Sequence, residues 1–376
     1  MITIGFDAKR AFMNFSGLGN YSRSLIRALA TFYPHHRYVL FTPPYTAHPS
    51  HKQFKHTNIT ISTPTGAGVL NAPLWRAGGL GFSTALRREQ IQIFHGLSGA
   101  LPYGISHSLP MIVTVHDLIF LRYPQYYKSI DRLVYEKKLR HACQRANIIV
   151  AISKQTKEDL IQFFGIESQK ITVVYQGCDP QFYRTPSADI ITAIKAKYQL
   201  PEQFILSVGT VEERKNLVTV IKALAMLPQN LHLVVLGQST PYIALVNREI
   251  ERQKLSSRVR IIHNALFSDL PAIYALSQLL VYPSLFEGFG IPVLEGLSLG
   301  IPVVTSNRSS LPEVGGDAAA YIDPLNVEEM AQTVHNILEN SSIASDMVNR
   351  GFRHAHHFRE EEIASNMHHL YTQLIS

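Results

Sequence analysis

The chain has 376 residues, of which 46% are hydrophobic and 17% charged, so it is long enough for two domains and too apolar to be disordered. The net charge of +7 is unevenly distributed: residues 1–180 hold 20 Lys and Arg against 9 Asp and Glu, whereas the remainder holds 15 against 19. Because the basic half shows neither aromatic ribonucleoprotein strands nor zinc-finger spacing, we do not expect it to bind nucleic acid.

Short β-branched runs alternate with helical patterns along almost the whole chain. The predicted strands of the first half are Ile2–Phe6, Tyr38–Phe41, Ile59–Ser62, Ile91–Phe94, Ile112–Val115, Ile148–Ala151 and Ile171–Val174. Those of the second half are Phe204–Val208, Leu231–Leu236, Val259–Ile262, Leu279–Tyr282 and Val303–Ser306. Apolar runs separated by amphipathic helices are typical of parallel strands that are covered on both faces. The pattern predicts an α/β protein with two doubly wound sheets, whose ligands bind at the carboxyl ends of the strands.

A cluster of turn-forming residues separates the two series of strands. It begins at Gly177–Pro180 and continues at Thr185–Ser187, before a new strand starts at Phe204. The last stretch, Glu360–Ile375, has the apolar stripe of an amphipathic helix. The predicted domains are residues 1–180, residues 181–355 and a C-terminal helix in residues 356–376 that packs back on the first domain.

The sequence shows no sign of export. The first residues resemble a mature strand without a basic leader, and Pro102 and Pro110 interrupt the longest uncharged run. The two cysteines, Cys143 and Cys178, lack the paired spacing of a disulfide framework, which indicates a reducing compartment. We therefore expect a cytoplasmic protein, or one bound peripherally to the inner face of the membrane.

A Gly-rich loop follows the predicted strand Leu279–Tyr282. Pro292 suits the first position of the helix that comes next, because the missing N–H of proline costs nothing there. The loop residues Gly288, Phe289 and Gly290 would present free N–H groups at the positive end of that helix. This arrangement predicts a binding site for a diphosphate.

Two acidic residues flank the same loop. Glu287 could reach sugar hydroxyls from the loop, and Glu295, one turn into the helix, could accept hydrogen bonds from ribose hydroxyls. The alternative is that Glu287 is solvated and that Glu295 only stabilises the helix start. A glycosidase pair is disfavoured, since a helical separation of eight positions spans about 12 Å against the ~5 Å of retaining glycosidases.

Two further segments at predicted strand ends carry candidate residues. Arg214 and Lys215 follow the strand Phe204–Val208, where adjacent cations would stabilise a diphosphate leaving group; the alternative is a solvated basic turn. His116 follows the strand Ile112–Val115 at its carboxyl end, where a capping or packing role is the alternative.

The loop that opens the first helix contains Gly17 and Gly19, but it is not a dinucleotide fingerprint and a tight turn explains it equally well. Metal binding is not expected, because Asp-x-Asp is absent and the cluster of His354, His356 and His357 lacks a Cys or acidic partner at ligand spacing. Basic residues also crowd the predicted helical stretch Lys128–Arg145, which is either a solvated face or a docking face for an anionic membrane or acceptor.

Glu287 and Glu295 lie in Glu-Gly-Phe-Gly-Ile-Pro-Val-Leu-Glu, which resembles the Glu-x7-Glu motif of family 4 glycosyltransferases. The resemblance covers essentially the whole chain. The segments Val208–Leu217 and Thr114–Leu118 are similar to the mannosyltransferase-like branch of that family. The resemblance implies a GT-B fold of two facing Rossmann-like domains with a cleft between them. It also implies retention at the anomeric carbon and neither an obligatory metal nor another cofactor.

The resemblance further assigns roles to individual residues. It implies that His116 contacts the transferred sugar, that Lys215 contacts the donor phosphates, and that Gly17 and Gly19 make backbone contacts to the donor. With the positional arguments above, the expected catalytic residues are His116, Lys215 and Glu287. The expected donor-binding residues are Gly17, Gly19, Arg214, Lys215, Gly288, Phe289, Gly290 and Glu295. Many members have Arg where Thr210 stands, which leaves Arg214 as the second cation. The segment Asn264–Leu266 stands where the family holds the base through main-chain groups.

The expected function is transfer of a sugar from a nucleoside-diphosphate sugar to the hydroxyl of a saccharide or lipid-linked acceptor. Mannose from GDP-mannose is the first candidate and a UDP-sugar the second, in cell-surface polysaccharide or glycolipid synthesis. The C-terminal domain would hold the donor and the basic N-terminal domain the acceptor. The alternatives are a sugar-nucleotide 2-epimerase or a phosphorylase of the same fold, and a non-enzymatic two-domain sugar-binding protein.

Overall fold

The computed structural model describes residues 1–64, 72–79 and 81–375, and the chain divides into two compact units. Unit 1 comprises Met1–Gly177 together with Arg359–Ser376, and unit 2 comprises Cys178–Phe358. The chain thus passes from unit 1 to unit 2 three residues before the predicted boundary at residue 180. It returns to unit 1 three residues after the predicted boundary at residue 355.

Unit 1 contains a seven-stranded parallel sheet in the order β3-β2-β1-β4-β5-β6-β7. Its strands are β1 (Thr3–Asp7), β2 (Arg37–Phe41), β3 (Ile59–Ser62), β4 (Ile93–Gly96), β5 (Met111–Val115), β6 (Ile148–Ala151) and β7 (Ile171–Val173). Each lies within two residues of its predicted position. The strand order reverses between β1 and β4, and such reversals open a crevice at the carboxyl ends of the strands.

Helices connect these strands. The described α-helices of this part are α1 (Lys9–Met13), α2 (Gly17–Phe32), α3 (Ala72–Arg76), α4 (Phe82–Arg88), α5 (Ile119–Arg122), α6 (Ser129–Arg145) and α7 (Lys154–Phe164). The inner strands are buried along their length, as expected for a parallel sheet with helices on its faces.

Unit 2 contains a six-stranded parallel sheet in the order β10-β9-β8-β11-β12-β13. Its strands are β8 (Phe204–Val208), β9 (His232–Leu236), β10 (Val259–Ile262), β11 (Leu279–Tyr282), β12 (Val303–Ser306) and β13 (Ala320–Ile322). The first five were predicted. The edge strand β13 was missed because three residues, two of them only half-buried, are too few to show a strand pattern. Here the order reverses between β8 and β11.

The α-helices of unit 2 follow the same alternation. They are α8 (Ala188–Tyr198), α9 (Leu217–Leu224), α10 (Ile243–Arg252), α11 (Leu270–Leu276), α12 (Ile291–Ser298), α13 (Leu311–Gly315), α14 (Val327–Glu339) and α15 (Ser341–Ala355). The two sheets with their helices confirm the expected α/β class with two Rossmann-like domains.

The last helix, α16 (Glu360–Gln373), belongs to unit 1 and packs against α2. Its Tyr371 is fully buried, and the hydroxyl lies 2.8 Å from Nδ1 of the buried His95 on β4. An ion pair between Arg27 of α2 and Glu360 ties the start of the helix to the same surface. Within the described ranges, none of the helices has the length and apolarity needed to cross a bilayer.

Candidate functional site

Two loops converge at the carboxyl edge of the sheet in unit 2. β8 and β11 are neighbouring parallel strands, so the loops that leave their carboxyl ends start side by side. The first loop carries Arg214 and Lys215 in a single 3-10 turn, and the second carries Glu287. Leu285 N–H donates to the carbonyl of Arg214 over 2.8 Å, which joins the two loops through their backbones.

The side chains of these loops form one charged network. The Lys215 ammonium donates to Glu287 Oε1 over 2.5 Å and to the Tyr282 hydroxyl over 2.6 Å. Arg214 Nη1 lies 2.9 Å from Glu287 Oε2, and its Nη2 lies 2.5 Å from a carboxylate oxygen of Glu212. The Tyr282 hydroxyl in turn donates to Glu287 Oε1 over 2.9 Å. One carboxylate therefore fixes both cations.

Burial gives this network unusual electrostatics. Burial would raise the pKa of Glu287, but Lys215 and Arg214 outweigh it and lower the value to about 2. Burial lowers the pKa of Lys215, and the attraction of Glu287 only partly offsets this effect. Burial also opposes the charge on Arg214, yet the carboxylates of Glu287 and Glu212 raise its pKa above the ordinary value. Two cations and two carboxylates thus interact where water screens their charges poorly.

The backbone around the cations is held by residues with little freedom to change. Gly209 has a φ of +135°, and a Cβ there would lie 3.4 Å from the Lys215 side chain. A Cβ on Gly237, after β9, would lie only 1.9 Å from the carbonyl oxygen of Gly209. Asn216, itself at a φ of +59°, donates to the carbonyl of Pro324 over 2.6 Å. These contacts fix the turn from which Arg214 and Lys215 project.

The Gly-rich loop ends at the N-terminus of α12. Gly290 precedes the helix with a φ of +117°, in the region that favours glycine. Pro292 is the second residue of the helix, one position after the predicted one, and still lies in the first turn. The hydroxyl of Ser310 lies 3.0 Å from the carbonyl oxygen of Glu287 and 2.7 Å from that of Phe289. The Phe289 ring is buried, so only the backbone of this residue is suited to contact a ligand.

Glu295 lies deeper in the same unit, on α12. Its side chain is buried, and its Oε2 accepts a hydrogen bond of 2.7 Å from the Tyr274 hydroxyl on α11. Burial raises the pKa of Glu295 to about 7, although the Tyr274 bond opposes the shift. Because α12 begins only at Ile291, the segment from Glu287 to Gly290 is not helical, and the helical estimate of the spacing between Glu287 and Glu295 does not apply.

Unit 1 presents a different set of groups at its carboxyl edge. His116 directly follows β5, and its Nε2 lies 2.9 Å from the carbonyl oxygen of Leu97, so this nitrogen carries a proton. Burial lowers the pKa of His116 to about 4, which keeps the ring neutral at physiological pH. The Tyr21 ring packs edge-on against the imidazole at 4.6 Å. The neighbouring Asp117 accepts from Ile119 N–H over 3.1 Å, as an orienting residue would.

Two sequence profiles match the chain. The one described as Glycosyltransferase Family 4 covers residues 15–182, and the one described as Glycosyl transferases group 1 covers residues 191–354. The O-antigen chain mannosyltransferase B of Escherichia coli is 31% identical over 283 residues, which are 74% of this chain and 73% of that protein. The chain belongs to glycosyltransferase family 4.

Other similar proteins agree with this membership. The serotype-specific mannosyltransferase WbdA of Escherichia coli is 32% identical over 68% of this chain, which spans about a third of WbdA's length (33%). The structure of Anabaena HepE in complex with UDP and glucose matches with a TM-score of 0.75 at 18% identity, over 99% of this chain and all of HepE. This structural similarity shows the fold alone. The protein is therefore a glycosyltransferase with two Rossmann-like domains.

Of the two glycines in the first turn of α2, packing requires glycine at position 19 alone. A Cβ on Gly19 would lie 1.8 Å from the Asn14 carbonyl oxygen, and the Gly19 N–H already donates to the Asn14 side chain over 3.1 Å. A Cβ on Gly17, in contrast, would meet nothing within 4 Å. Open space thus exists at Gly17 and not at Gly19.

A buried hydrogen-bond chain connects the C-terminal helix of the glycosyltransferase to the neighbourhood of His116. Tyr371 contacts Nδ1 of His95, whose Nε2 lies 2.9 Å from the Thr114 hydroxyl. Thr114 in turn lies 3.1 Å from the Tyr21 hydroxyl, and the Tyr21 ring packs on His116. The sequence pattern gave no sign of this chain, because its members are far apart in sequence.

Other candidate segments lie apart from these groups. Asn264–Leu266 follows β10 at the carboxyl edge of unit 2, where Leu266 N–H donates to the Tyr198 hydroxyl over 3.1 Å. The basic stretch Lys128–Arg145 forms α6, as predicted. His116, Gly17 and Gly19 all lie in unit 1.

Sequence reasoning missed a histidine cluster in unit 1. His35, His36 and His368 have ring nitrogens that all lie within 4.8 Å of one another. The Ile2 N–H donates to Nδ1 of His36 over 3.1 Å, and Nε2 of His36 lies 3.0 Å from Nε2 of His368. A neutral His36 that accepts at Nδ1 carries its proton on Nε2, so this nitrogen acts as a hydrogen-bond donor to His368.

Sequence reasoning also missed the residues that support the charged network. Tyr282 and Tyr274 bond the side chains of Lys215 and Glu295, and Ser309 Oγ accepts from Glu287 N–H over 3.0 Å. Asn216 follows Lys215 directly and donates to the carbonyl of Pro324. Tyr282 and Asn216 adjoin predicted segments, so position at a strand end was the available signal. Tyr274 has no such signal, because its hydrogen bond to Glu295 joins two helices that are distant in sequence.

Proposed function

We propose that this glycosyltransferase transfers mannose from a nucleoside-diphosphate sugar, with GDP-mannose as the first candidate donor and a UDP-sugar as the second. The observation that carries the proposal is the cation pair Arg214 and Lys215, fixed by one buried carboxylate beside the N-terminus of α12. The names of the two Escherichia coli relatives, both mannosyltransferases, support mannose as the sugar.

The proposed chemistry uses the cations on the leaving group. As the bond between the sugar and the diphosphate breaks, negative charge grows on the phosphate oxygens, and fixed cations in a poorly solvated site stabilise it. The N–H groups of Gly288, Phe289 and Gly290 would add hydrogen bonds from the positive end of α12. Glu287 both positions the cations and would accept hydrogen bonds from sugar hydroxyls.

The proposal includes retention of configuration at the anomeric carbon. In this proposal the acceptor hydroxyl attacks from the face that the diphosphate leaves, and the departing phosphate takes the proton of the hydroxyl. His116, neutral and held by Leu97, would contact the sugar from unit 1. Comparing the anomeric configuration of donor and product by NMR tests retention directly.

We further propose that no metal or other cofactor takes part and that Lys215, Arg214 and the amides before α12 neutralise the diphosphate. The acceptor would be a saccharide or lipid-linked saccharide held by unit 1, in the synthesis of a cell-surface polysaccharide. O-antigen synthesis, to which the name of the first relative refers, is the specific pathway class that we propose. The enzyme would work as a peripheral protein at an anionic membrane.

A thermal-shift panel with GDP, UDP, ADP and TDP tests the donor site. A nucleotide at 100 times its dissociation constant adds about 2.7 kcal/mol to the free energy of unfolding, which gives a clear rise in melting temperature. We expect GDP to give the largest rise and Glu295→Gln to reduce it by about half at the same GDP concentration. Glu339→Gln, an exposed acid on α14, is the matched control and should keep the shift. A wild-type protein that none of the four nucleotides stabilises would refute the proposed donor site.

A further inference from the structure

The helix α6 is longer than the sheet on which it packs. It has 17 residues, about 25 Å, whereas its neighbour β5 has five residues, about 17 Å. At its C-terminal end, Asn147 exchanges two hydrogen bonds with Met111, at the start of β5. The helix therefore ends at the amino edge of the sheet, and its first turns extend beyond the carboxyl edge that carries His116.

The burial of α6 follows this geometry. Leu139, Ala142 and Cys143 are its buried residues, and all three belong to the core of unit 1. The preceding ten residues, Ser129–Lys138, contain no buried side chain. We call residues 128–138 the α6 overhang.

Large apolar side chains lie exposed on the α6 overhang. Ile130 is 76% exposed, Leu133 65% and Val134 42%, and Tyr135 is 47% exposed. Ile130, Leu133 and Val134 are spaced i, i+3 and i+4, so they form one stripe on the helix surface. Single exposed apolar residues are ordinary, but a contiguous stripe at the tip of a helix marks an interaction surface.

Cations surround the stripe and indicate what it contacts. Lys128, Lys137 and Lys138 are exposed, and Arg132 lies between Ile130 and Leu133 in sequence. Of the two acidic residues on the overhang, Glu136 is paired with Arg140 over 2.8 Å. A surface that combines basic residues with exposed apolar side chains matches the anionic headgroups and acyl chains of a bilayer.

We propose that the α6 overhang inserts its apolar stripe into the interfacial layer of an anionic membrane, with the lysines on the lipid headgroups. This inference rests on the proposed function in one respect, the membrane-linked acceptor, because insertion brings the edge that carries His116 to the bilayer surface. The docking itself is independent of the identity of the donor.

Flotation with vesicles tests the basic and the apolar residues of the α6 overhang separately. Wild type should float with phosphatidylcholine vesicles that contain about one third phosphatidylglycerol, and bind pure phosphatidylcholine far less. Arg132→Glu, Lys137→Glu and Lys138→Glu together should weaken binding about 100-fold or more. Ile130→Gln, Leu133→Gln and Val134→Gln together should weaken it roughly tenfold or more. All these positions are on the helix surface, so the fold should be retained.

A matched control uses exposed apolar residues of unit 2. Ile190, Leu245 and Leu325 are 51%, 50% and 61% exposed, and their joint replacement by Gln should leave vesicle binding unchanged. A fluorescent label at Leu133→Cys gives a direct readout, since both native cysteines are buried. The emission of an environment-sensitive dye should shift to shorter wavelength with anionic vesicles and not with neutral ones.

Several outcomes would overturn the inference: wild type that ignores anionic vesicles at low salt, a Gln triple variant that binds like wild type, or equal binding to neutral vesicles. A wild-type dimer in sedimentation velocity that the Gln variant dissociates, without vesicle binding, would assign the stripe to a second copy of the chain. The GDP-induced melting shift, measured on the same variants, should not change. Vesicle binding without any nucleotide shift would leave this inference standing and refute the proposed donor site.

Discussion

The carboxyl edges of the two sheets have the same topology and opposite chemistry. Each lies where the strand order reverses, between β8 and β11 in unit 2 and between β1 and β4 in unit 1. In unit 2 the edge carries ionised groups, with Arg214 and Lys215 bonded to Glu287. In unit 1 the corresponding edge carries a neutral His116, and Gly17 and Gly19 lie in the first turn of α2 instead of the predicted loop.

The difference shows that the fold supplies the position of a site and that the loop sequences supply its chemistry. Buried cations suit a leaving group whose charge grows during the reaction. A neutral imidazole and the exposed backbone of Gly17 suit an uncharged sugar. We therefore expect substitutions in unit 2 to act on the nucleotide and its departure, and substitutions in unit 1 to act on sugar transfer without affecting nucleotide affinity.

The largest expected effect comes from removing a cation from the unit 2 edge. Lys215→Ala should lower kcat about 10²–10³-fold with a much smaller change in the donor KM, because the ammonium is worth more in the transition state than in the ground state. Steady-state kinetics with the donor identified by the nucleotide panel measure both parameters.

Lys222→Ala is the matched control for this substitution. Lys222 lies on α9, a few residues beyond the turn that carries Lys215, and it should be replaceable with little change in kcat. Melting temperatures of both variants exclude unfolding as the cause of lost activity. A kcat for Lys215→Ala within twofold of wild type would remove the leaving-group role from this residue.

A smaller effect is expected at the unit 1 edge. His116→Ala should lower kcat/KM for transfer about 10–100-fold, in the range of one or two lost hydrogen bonds to the reacting sugar. The GDP-induced melting shift should be the same as for wild type. Because the pKa of His116 is lowered to about 4, the activity of wild type should show no ionisation of this ring between pH 6 and 8.

The transfer activity and the nucleotide-induced melting shift of His116→Ala together test the different roles of the two edges. A His116→Ala variant that loses nucleotide binding would show that the unit 1 edge also contributes to nucleotide affinity, contrary to the proposal. Activity equal to that of wild type would show that the imidazole only packs against Tyr21 and Leu97.

The next prediction concerns Glu295 and the pH dependence of GDP affinity, for which we expect a change of about tenfold. Its pKa is raised to about 7 by burial, so near pH 6 about nine tenths of the free protein carries a neutral carboxyl. Ribose hydroxyls donate hydrogen bonds better to the ionised form. GDP affinity should therefore rise roughly tenfold between pH 6 and pH 8, and Glu295→Gln should bind weakly at both. Calorimetric titrations at the two pH values measure this difference, and a wild-type affinity that does not change with pH would contradict it.

The same group links stability to pH in the opposite direction from an ordinary carboxylate. The native pKa of about 7 lies above the unfolded value of about 4.5, so the native state binds more protons within this window. The free energy of unfolding should fall by about 3 kcal/mol as pH rises from about 4.5 to about 7. Urea titrations should show this decrease in the free energy of unfolding for wild type and not for Glu295→Gln, since the amide cannot titrate.

The strands and the segments of the candidate site could be predicted because each has a recognisable pattern within a few neighbouring residues. β8, β11 and their loops were identified from β-branched runs, glycine and proline, and the structure places Arg214, Lys215 and Glu287 in contact. The roles of these residues in transfer stay predictions. The open space at Gly17 and the steric need for glycine at Gly19 were not distinguishable from sequence, since the difference depends on the position of Asn14.

Features that depend on packing were not predictable. The bond between Tyr274 and Glu295 joins two helices that are distant in sequence. The return of the C-terminal helix to the first domain was predicted, but the chain from Tyr371 through His95 to Thr114 was not. The basic stretch of α6 was evident from sequence, but its exposed apolar stripe was not. Ile130 and Leu139 are both apolar residues of one helix, and only the length of the helix relative to the sheet leaves the first exposed and the second buried.

The smallest expected effect concerns removal of metal ions, which should leave the activity unchanged. If Arg214, Lys215 and the amides before α12 neutralise the diphosphate, transfer should continue at an unchanged rate after exhaustive treatment with EDTA, with or without added Mg²⁺ or Mn²⁺. A required metal would replace the fixed cations of the unit 2 edge as the main source of positive charge. The informative control is Lys215→Ala assayed with added divalent metal. If metal restores that variant but does not affect wild type, the ammonium and the metal serve the same purpose and the native enzyme uses the former. Loss of wild-type activity with EDTA that Mg²⁺ or Mn²⁺ restores would show instead that the cations of the unit 2 edge are insufficient by themselves.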